Sequence, residues 1–363
     1  MRNRVLLILF VALGVRLALF VFAFWRLGGL TPVINLADEP SYAALAHMIG
    51  TGERPANRWM ERMFPGWPLL LAIPCRFLPI DWTILLMGAL LAAAVPVLFF
   101  LLTRDFGMSV AVALVPPTWL KHSCIGMSEP AMLVLVLLSL VLYVRGKKVA
   151  SAIPMAASTL IRPVAGFAAI GVLWLVFRRS GWRRAMVWAA IFSSAILFQV
   201  AFNLHYYGVW NRQARLYAND PTLSPEILRA FPAGMTRRAY LNVPFASLIL
   251  TPLRLSTPPW KVAFIAANVV AVVVSCVFLL RRLRDSDLSF VFAVWGILNA
   301  GFIFCLGPYW GFHSFDRYAI AALPAYAFAF MPRRNARPPK WRGAALVVAC
   351  VSSILMAAWG LTK

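Results

Sequence analysis

Apolar runs of about twenty residues recur along this chain, separated by short basic knots, and that repetition governs what the chain can fold into. A helix needs about 20 apolar residues to cross the hydrocarbon core of a bilayer. Runs of that order lie at 5–25, 82–103, 127–144, 185–205, 262–280, 288–306, 314–331 and 344–361. Shorter ones at 107–120, 149–161 and 163–177 cross only with local thinning or with burial against neighbouring helices. The pattern predicts an all-α, polytopic transmembrane bundle of about ten or eleven spans, organised as one domain over residues 1–363. Composition agrees: 62% of residues are hydrophobic and 13% charged, against about 45–50% and about 25% in soluble domains.

The formal charge of +23 would suggest a nucleic-acid partner in a soluble protein. Here the basic residues sit in tight groups between apolar runs, where they set topology and meet anionic headgroups. The expected partner is the bilayer, with no nucleic acid. All five cysteines (Cys75, Cys124, Cys276, Cys305 and Cys350) lie in or beside apolar runs without CxxC spacing. They read as small membrane residues rather than metal ligands or a disulfide framework. The run at 5–25 follows a basic start but is long and closes on no A-x-A-like site, so it reads as a retained first span and not a cleaved signal.

Segment 64–80 differs from the other runs. Pro65, Pro68, Pro74 and Pro79 each remove a helix donor, which predicts a broken, interfacial or re-entrant element. Orientation follows from the Lys/Arg clusters. The strongest are RGKK at 145–148, RRSGWRR at 178–184, RRLR at 281–284 and RRNARPPKWR at 333–342. Placed in the cytoplasm with Arg2, Arg4 and Arg104, they give eleven passes, N-terminus inside and C-terminus outside, provided 64–80 does not cross. Two sizeable loops then face outward, about 26–66 and 206–260. The first is expected to carry a short helix at 41–48 after the ADEP turn, the second one around 225–231.

With only twelve acidic residues, each is informative. Asp105, Asp285 and Asp287 flank basic clusters and read as salt-bridging loop residues. Asp81 is placed to cap the next helix, and Glu53, Glu61, Asp220 and Glu226 are loop acids with no evident partner. There remain Asp38–Glu39, Glu129 and Asp316, which the topology puts on the outer side with Arg162, His313 and Arg317. Ionisable groups at membrane depth are costly and point to function. Each also has a plain structural reading: Asp38–Glu39 and Glu129 as helix caps, Arg162 as a snorkelling anchor, His313 and Asp316–Arg317 as a local pair. Four such sites on one face favour a functional reading of the set.

The order of these features resembles the GT-C superfamily of membrane glycosyltransferases, which take sugar from a polyprenyl- or dolichyl-phosphate carrier. The acidic pair and tyrosine of ADEPSYAALAHMI (Asp38, Glu39, Tyr42) match the family's first outer loop. The segment MFPGWPLLLAIP resembles the phenylalanine–proline-rich stretch of GPI mannosyltransferases. The SEP start of a span, the LIRPVAGF hairpin and DRYAIAALPAY complete the likeness, which covers about two thirds of the chain. The protein mannosyltransferases are a similar group. Two departures stand out: the acidic pair is DE rather than DxD, and no large polar domain follows.

The resemblance implies an inverting hexosyltransferase, mannosyltransferase-like, acting on the outer or lumenal face of a bacterial plasma membrane or an endoplasmic reticulum membrane. Its partners would be a polyprenyl-phosphate-linked sugar and a lipid, glycan or protein acceptor. A divalent metal, Mg or Mn, is the one cofactor the family likeness allows. Transfer to a hydroxyl needs a base near the acceptor oxygen and cations at the leaving phosphate. Asp38, with Glu39 beside it, suits the first role. For donor and substrate binding the candidates are Tyr42, Glu129, Arg162, Arg237, Arg238, His313, Asp316 and Arg317, since arginine forks match phosphate. The rival readings are a transporter or lipid flippase, which usually shows repeated halves, and a non-enzymatic scaffold. Single cysteines in a cysteine-free background test the topology. Positions 38, 129 and 313 are expected to label from outside and 146 from the cytoplasm; cytoplasmic labelling of 129 would mean that 64–80 crosses.

Overall fold

The computed structural model describes residues 1–34, 38–53, 58–213, 259–305, 315–332 and 342–361, with helices and turns and no strand among them. The helices in chain order are α1 (Arg2–Leu27), α2 (Leu30–Ile34), α3 (Glu39–Thr51), α4 (Gly66–Ala72), α5 (Ile80–Thr103), α6 (Phe106–Leu114), α7 (Pro117–Cys124) and α8 (Glu129–Val144). They continue with α9 (Ala152–Ile161), α10 (Gly166–Ser180), α11 (Trp182–Tyr207), α12 (Pro259–Leu280), α13 (Asp287–Cys305), α14 (Phe315–Ile320), α15 (Leu323–Ala329) and α16 (Arg342–Gly360). Short 3-10 turns lie at Arg58–Arg62, Pro74–Arg76 and Pro163–Ala165.

Seven helices among the described residues are long and apolar enough to cross a membrane, or eight if α7 and α8, bent by 106°, count as one span. The chain is a multi-pass membrane protein. Several apolar runs turn out to be interrupted or shortened. Pro116 and Pro117 separate α6 from α7, because proline has no N–H for the helix ladder. The run at 149–161 yields only the 10-residue α9, about 15 Å of helix, and 314–331 divides into α14 and α15 before Pro324. Segment 64–80 is broken as its prolines predict, into α4 and the Pro74–Arg76 turn. The first-loop helix extends over Glu39–Thr51; the helix expected around 225–231 lies outside the described residues.

The chain forms two compact units, Met1–Arg215 with Met331–Lys363, and Leu216–Phe330. In the first, α16 is held at both ends. Arg342 pairs with Asp105 at 2.8 Å, and Asp105 also caps α6 by accepting from Met108 N at 2.9 Å. At the other end Lys121 Nζ donates to Gly360 O at 2.8 Å, a cation on the helix's carbonyl terminus. The 19 residues of α16 measure about 28 Å, so the interrupted pair α6–α7 covers the length of a full span beside it. Asp81 lies in the first turn of α5, whose cap is Pro79.

Arg16, halfway along α1, is 1% exposed. Its Nε donates to Ser123 Oγ at 2.9 Å, Nη1 to Ala12 O at 2.9 Å and Nη2 to Ala113 O at 3.1 Å, and its guanidinium lies over the Trp119 ring. Ala113 is in the last turn of α6, where helix carbonyls lack intrahelical partners. The arginine thus supplies at the α6–α7 break what water supplies at a surface.

In the second unit α12 and α13 pack with α14 and α15 around a buried amide. Asn299 Nδ2 donates to Tyr318 O and to Tyr326 Oη, both at 3.2 Å, and Tyr326 in turn donates to Gly296 O at 3.1 Å. Arg282 Nη1 donates to Phe328 O at 3.2 Å, covering the carbonyl end of α15. Arg16→Met in the first unit removes the donors from Ala113 O and Ser123. Each buried group left unpaired costs about 1–3 kcal/mol, so a clearly lowered Tm in detergent is expected; an unchanged Tm would mean that the break needs no internal donor.

Candidate active site

Three breaks in the helices of the first unit bring polar side chains to one place. Between α7 and α8 the chain turns through Gly126, at φ +86°. A β-carbon there would meet the Ile84 side chain and, at 2.8 Å, Ile84 O, while one on Gly88 would meet Gly126 Cα at 2.7 Å. Backbone of α5 therefore lies directly against the break, and only glycine permits that approach. Ser128 and Glu129 follow at the start of α8, with Pro130 in its first turn.

Arg162 stands between α9 and the Pro163–Ala165 turn in an extended conformation, φ −150° and ψ 122°, as the residue before a proline prefers. The glycine of the FPGWP segment sits against this junction. A β-carbon on Gly66 would meet Ile161 N and Leu160 C at 2.6 Å, so α4 presses on the last residues before Arg162. On the third element, α3, Asp38 occupies the N-cap position, but its side chain makes no capping bond.

These elements meet in a chain of contacts. Arg162 Nη2 pairs with Glu129 Oε1 at 2.8 Å, with side chains 14% and 0% exposed. Arg162 Nε donates to Ser128 Oγ at 3.0 Å, and Ser128 Oγ shares a 2.9 Å bond with Tyr42 Oη, itself 4% exposed. Tyr42 is one helical turn after Asp38, whose carbonyl accepts from Tyr42 N at 3.2 Å, and residues at that spacing share a helix face. Tyr42, Glu129 and Arg162, singled out in three distant motifs, thus belong to one network, with Asp38 half-buried beside it. Glu129 is in the first turn of α8, yet its carboxylate engages Arg162, so a capping role does not account for it.

A second polar cluster lies at the far end of the segment that joins α1 to α4. Glu61 is buried and pairs with Arg212, whose Nε donates to it at 3.0 Å. Asn203 and Gln213 exchange amide bonds at 2.8 and 3.1 Å, and Gln213 Nε2 also donates to Met63 O at 3.4 Å. Leu45, Met48, Met60 and Phe202 pack together there. Glu61, which the sequence leaves without a partner, is therefore half of an ion pair with Arg212, just beyond the end of α11.

The remaining candidates divide plainly. Arg237, Arg238 and His313 lie outside the described residues. Glu39 begins α3 and Asp316 lies in α14, but the side chains of both fall outside the described set. Arg317 is in α14, in the second unit. Ser128 was not singled out from the sequence, although the SEP tripeptide contained it; a small hydroxyl beside a helix-starting Glu-Pro was the only signal. Neither Glu61–Arg212 nor Arg16 had a sequence signal beyond a charge in apolar surroundings.

Among the described residues no group of three or more His, Cys, Asp or Glu side chains converges, and the Glu129 carboxylate is already neutralised by Arg162. The described side chains alone do not supply the several oxygen ligands that a divalent metal takes.

No protein-family model matches the chain, and no curated protein sequence does. A solved structure of the Archaeoglobus fulgidus oligosaccharyltransferase, in complex with zinc and sulfate, is similar at a TM-score of 0.54 and 16% identity. The match covers 98% of this chain and 53% of that one, so this chain spans about half the neighbour's length. The likeness is one of fold: the chain shares an all-α membrane fold with that part of the neighbour.

Breaking one side of a buried ion pair costs about 3–5 kcal/mol. Arg162→Met is therefore expected to lower the thermal midpoint sharply, and adding Glu129→Gln to recover part of the loss. Two single variants as stable as wild type would show that the pair holds nothing in place.

Proposed function

We propose that the chain is an integral membrane glycosyltransferase that moves a hexose, mannose-like, from a polyprenyl-phosphate carrier to an acceptor hydroxyl on the outer or lumenal face. The observation that carries this reading is the junction of Tyr42, Ser128–Glu129 and Arg162. It unites the acidic-loop helix, the SEP helix start and the Arg-Pro hairpin within that shared fold. The structural neighbour is by name an oligosaccharyltransferase, which supports a lipid-linked donor and a lipid, glycan or protein acceptor here.

In this mechanism Asp38 takes the proton of the acceptor hydroxyl as its oxygen attacks the anomeric carbon. The bond from that carbon to the phosphate oxygen breaks, the polyprenyl phosphate leaves with the electron pair, and the single displacement inverts the centre. The phosphate is a good leaving group, so no second carboxylic acid is required, unlike glycoside hydrolysis. Because Arg162 is held by Glu129, it orients the site more than it neutralises phosphate. We assign the leaving charge to Arg237 and Arg238, with Arg317 as a further candidate. No step is routed through a metal.

The test is Asp38→Asn in purified protein supplied with polyprenyl-phosphate sugars. A general base contributes about 10²–10⁴-fold, so turnover should fall at least about a hundredfold while folding and donor binding stay near wild type. Retention of more than about a tenth of turnover would move the base elsewhere. Lipid or sugar translocation without transfer would favour the transporter reading.

A further inference from the structure

Ser128 is fully buried, and its one hydroxyl has partners on two other elements, Arg162 at 3.0 Å and Tyr42 at 2.9 Å. A guanidinium has donors and no acceptor, so Arg162 donates in the first bond. A hydroxyl that accepts from a cation becomes a better donor of its own proton, which directs the Ser128 proton to the phenol oxygen of Tyr42. The chain of bonds then runs from Arg162 through Ser128 to Tyr42.

The ends of this chain are not equally constrained. Arg162 is fixed by Glu129, by its own N–H on Ser158 O at 3.0 Å, and by the close approach of Gly66 to the residues just before it. Tyr42 belongs to α3, whose first turn carries Asp38. Long helical side chains lean back over the preceding turn, so the Tyr42 ring covers the turn that holds Asp38. Whatever fixes the phenol therefore fixes that turn.

We propose that Ser128 is a positioning residue: its hydroxyl transmits the geometry of the Arg162–Glu129 pair to Tyr42 and thereby sets the first turn of α3 and the carboxylate of Asp38. What Asp38 does rests on the glycosyltransferase reading; what Ser128 does to α3 rests on the geometry alone. A serine is the smallest side chain that can accept from one partner and donate to the other in a fully buried space. Alanine removes both bonds at once, while Tyr42→Phe removes one and keeps the ring.

The experiment compares full-length wild type, Ser128→Ala, Tyr42→Phe and the double variant in detergent or nanodiscs, with two readouts. The first is amide hydrogen exchange in the first turns of α3, which reports local opening. Both single variants should speed exchange there several-fold, and the double should add nothing to the larger single effect, because both cut the same chain. The second is sugar transfer: kcat should fall about tenfold or more, since small misplacements of a reacting group are costly, with the donor KM within about twofold.

Unchanged exchange in α3, or effects that multiply in the double variant, would overturn the role of Ser128. Faster exchange with unchanged kcat would overturn its link to Asp38. A wild-type protein that transfers no sugar would overturn the functional reading, and exchange would still decide Ser128. If Ser128→Ala does not fold, Tyr42→Phe alone decides by the same two measurements.

Discussion

A polypeptide that interrupts its helices inside a bilayer exposes amides and carbonyls where no water can bond them, and the first unit of this protein is organised around meeting that demand. Three interruptions lie close together in sequence, after α6, after α7 and after α9. The first is served by Arg16, which carries its donors in from another helix to Ala113 O and Ser123. The second is sealed by backbone contact between Gly126 and α5, and the third by Gly66 of α4. Each glycine replaces a layer of side chains with direct backbone contact, so the breaks are covered. Polar groups can then be held at those depths without being solvated.

The Glu129–Arg162 pair depends on that cover. Removing two charges from water is costly, and their attraction offsets the cost only when geometry is good and the remaining donors and acceptors are engaged. Here the carboxylate sits in the first turn of α8, where the helix dipole favours an anion. The guanidinium spends a further donor on Ser128. A pair of this kind contributes modestly to net stability but strongly to geometry, because moving either partner leaves a buried charge alone. It therefore acts as a fixed reference point beside the more exposed helix α3.

The membrane class was legible because twenty-residue apolar runs have few other uses. The broken character of 64–80 was legible because four prolines cannot share a straight helix. Tyr42, Glu129 and Arg162 could be picked out individually, since each is a polar residue at a helix start or hairpin in apolar surroundings. Their contact could not be read from the sequence: Tyr42 and Ser128 are 86 residues apart, and Ser128 and Arg162 34 apart. Nothing local encodes that closeness. Arg16 looked like one charge in an otherwise ordinary span, and its meaning came only from the α6–α7 break beside it. The interrupted runs were also hard to read, because hydropathy averages over a proline without registering that the ladder stops there.

The network also bears on which carboxylate can work as a base. A base must reach the acceptor hydroxyl and accept a proton without losing a partner that needs its charge. Glu129 meets neither condition: it is fully buried, and protonating it would leave the Arg162 guanidinium without its counter-ion. Glu61 is committed to Arg212 in the same way. Asp38 differs on the first count. It is half-buried rather than sealed, and its side chain makes no capping bond to its own helix. Its neighbour Glu39 begins the helix itself. The arrangement therefore separates two duties among the few acids of this chain: Glu129 holds the frame, and Asp38 is the carboxylate we propose for the proton, with Glu39 the next to test.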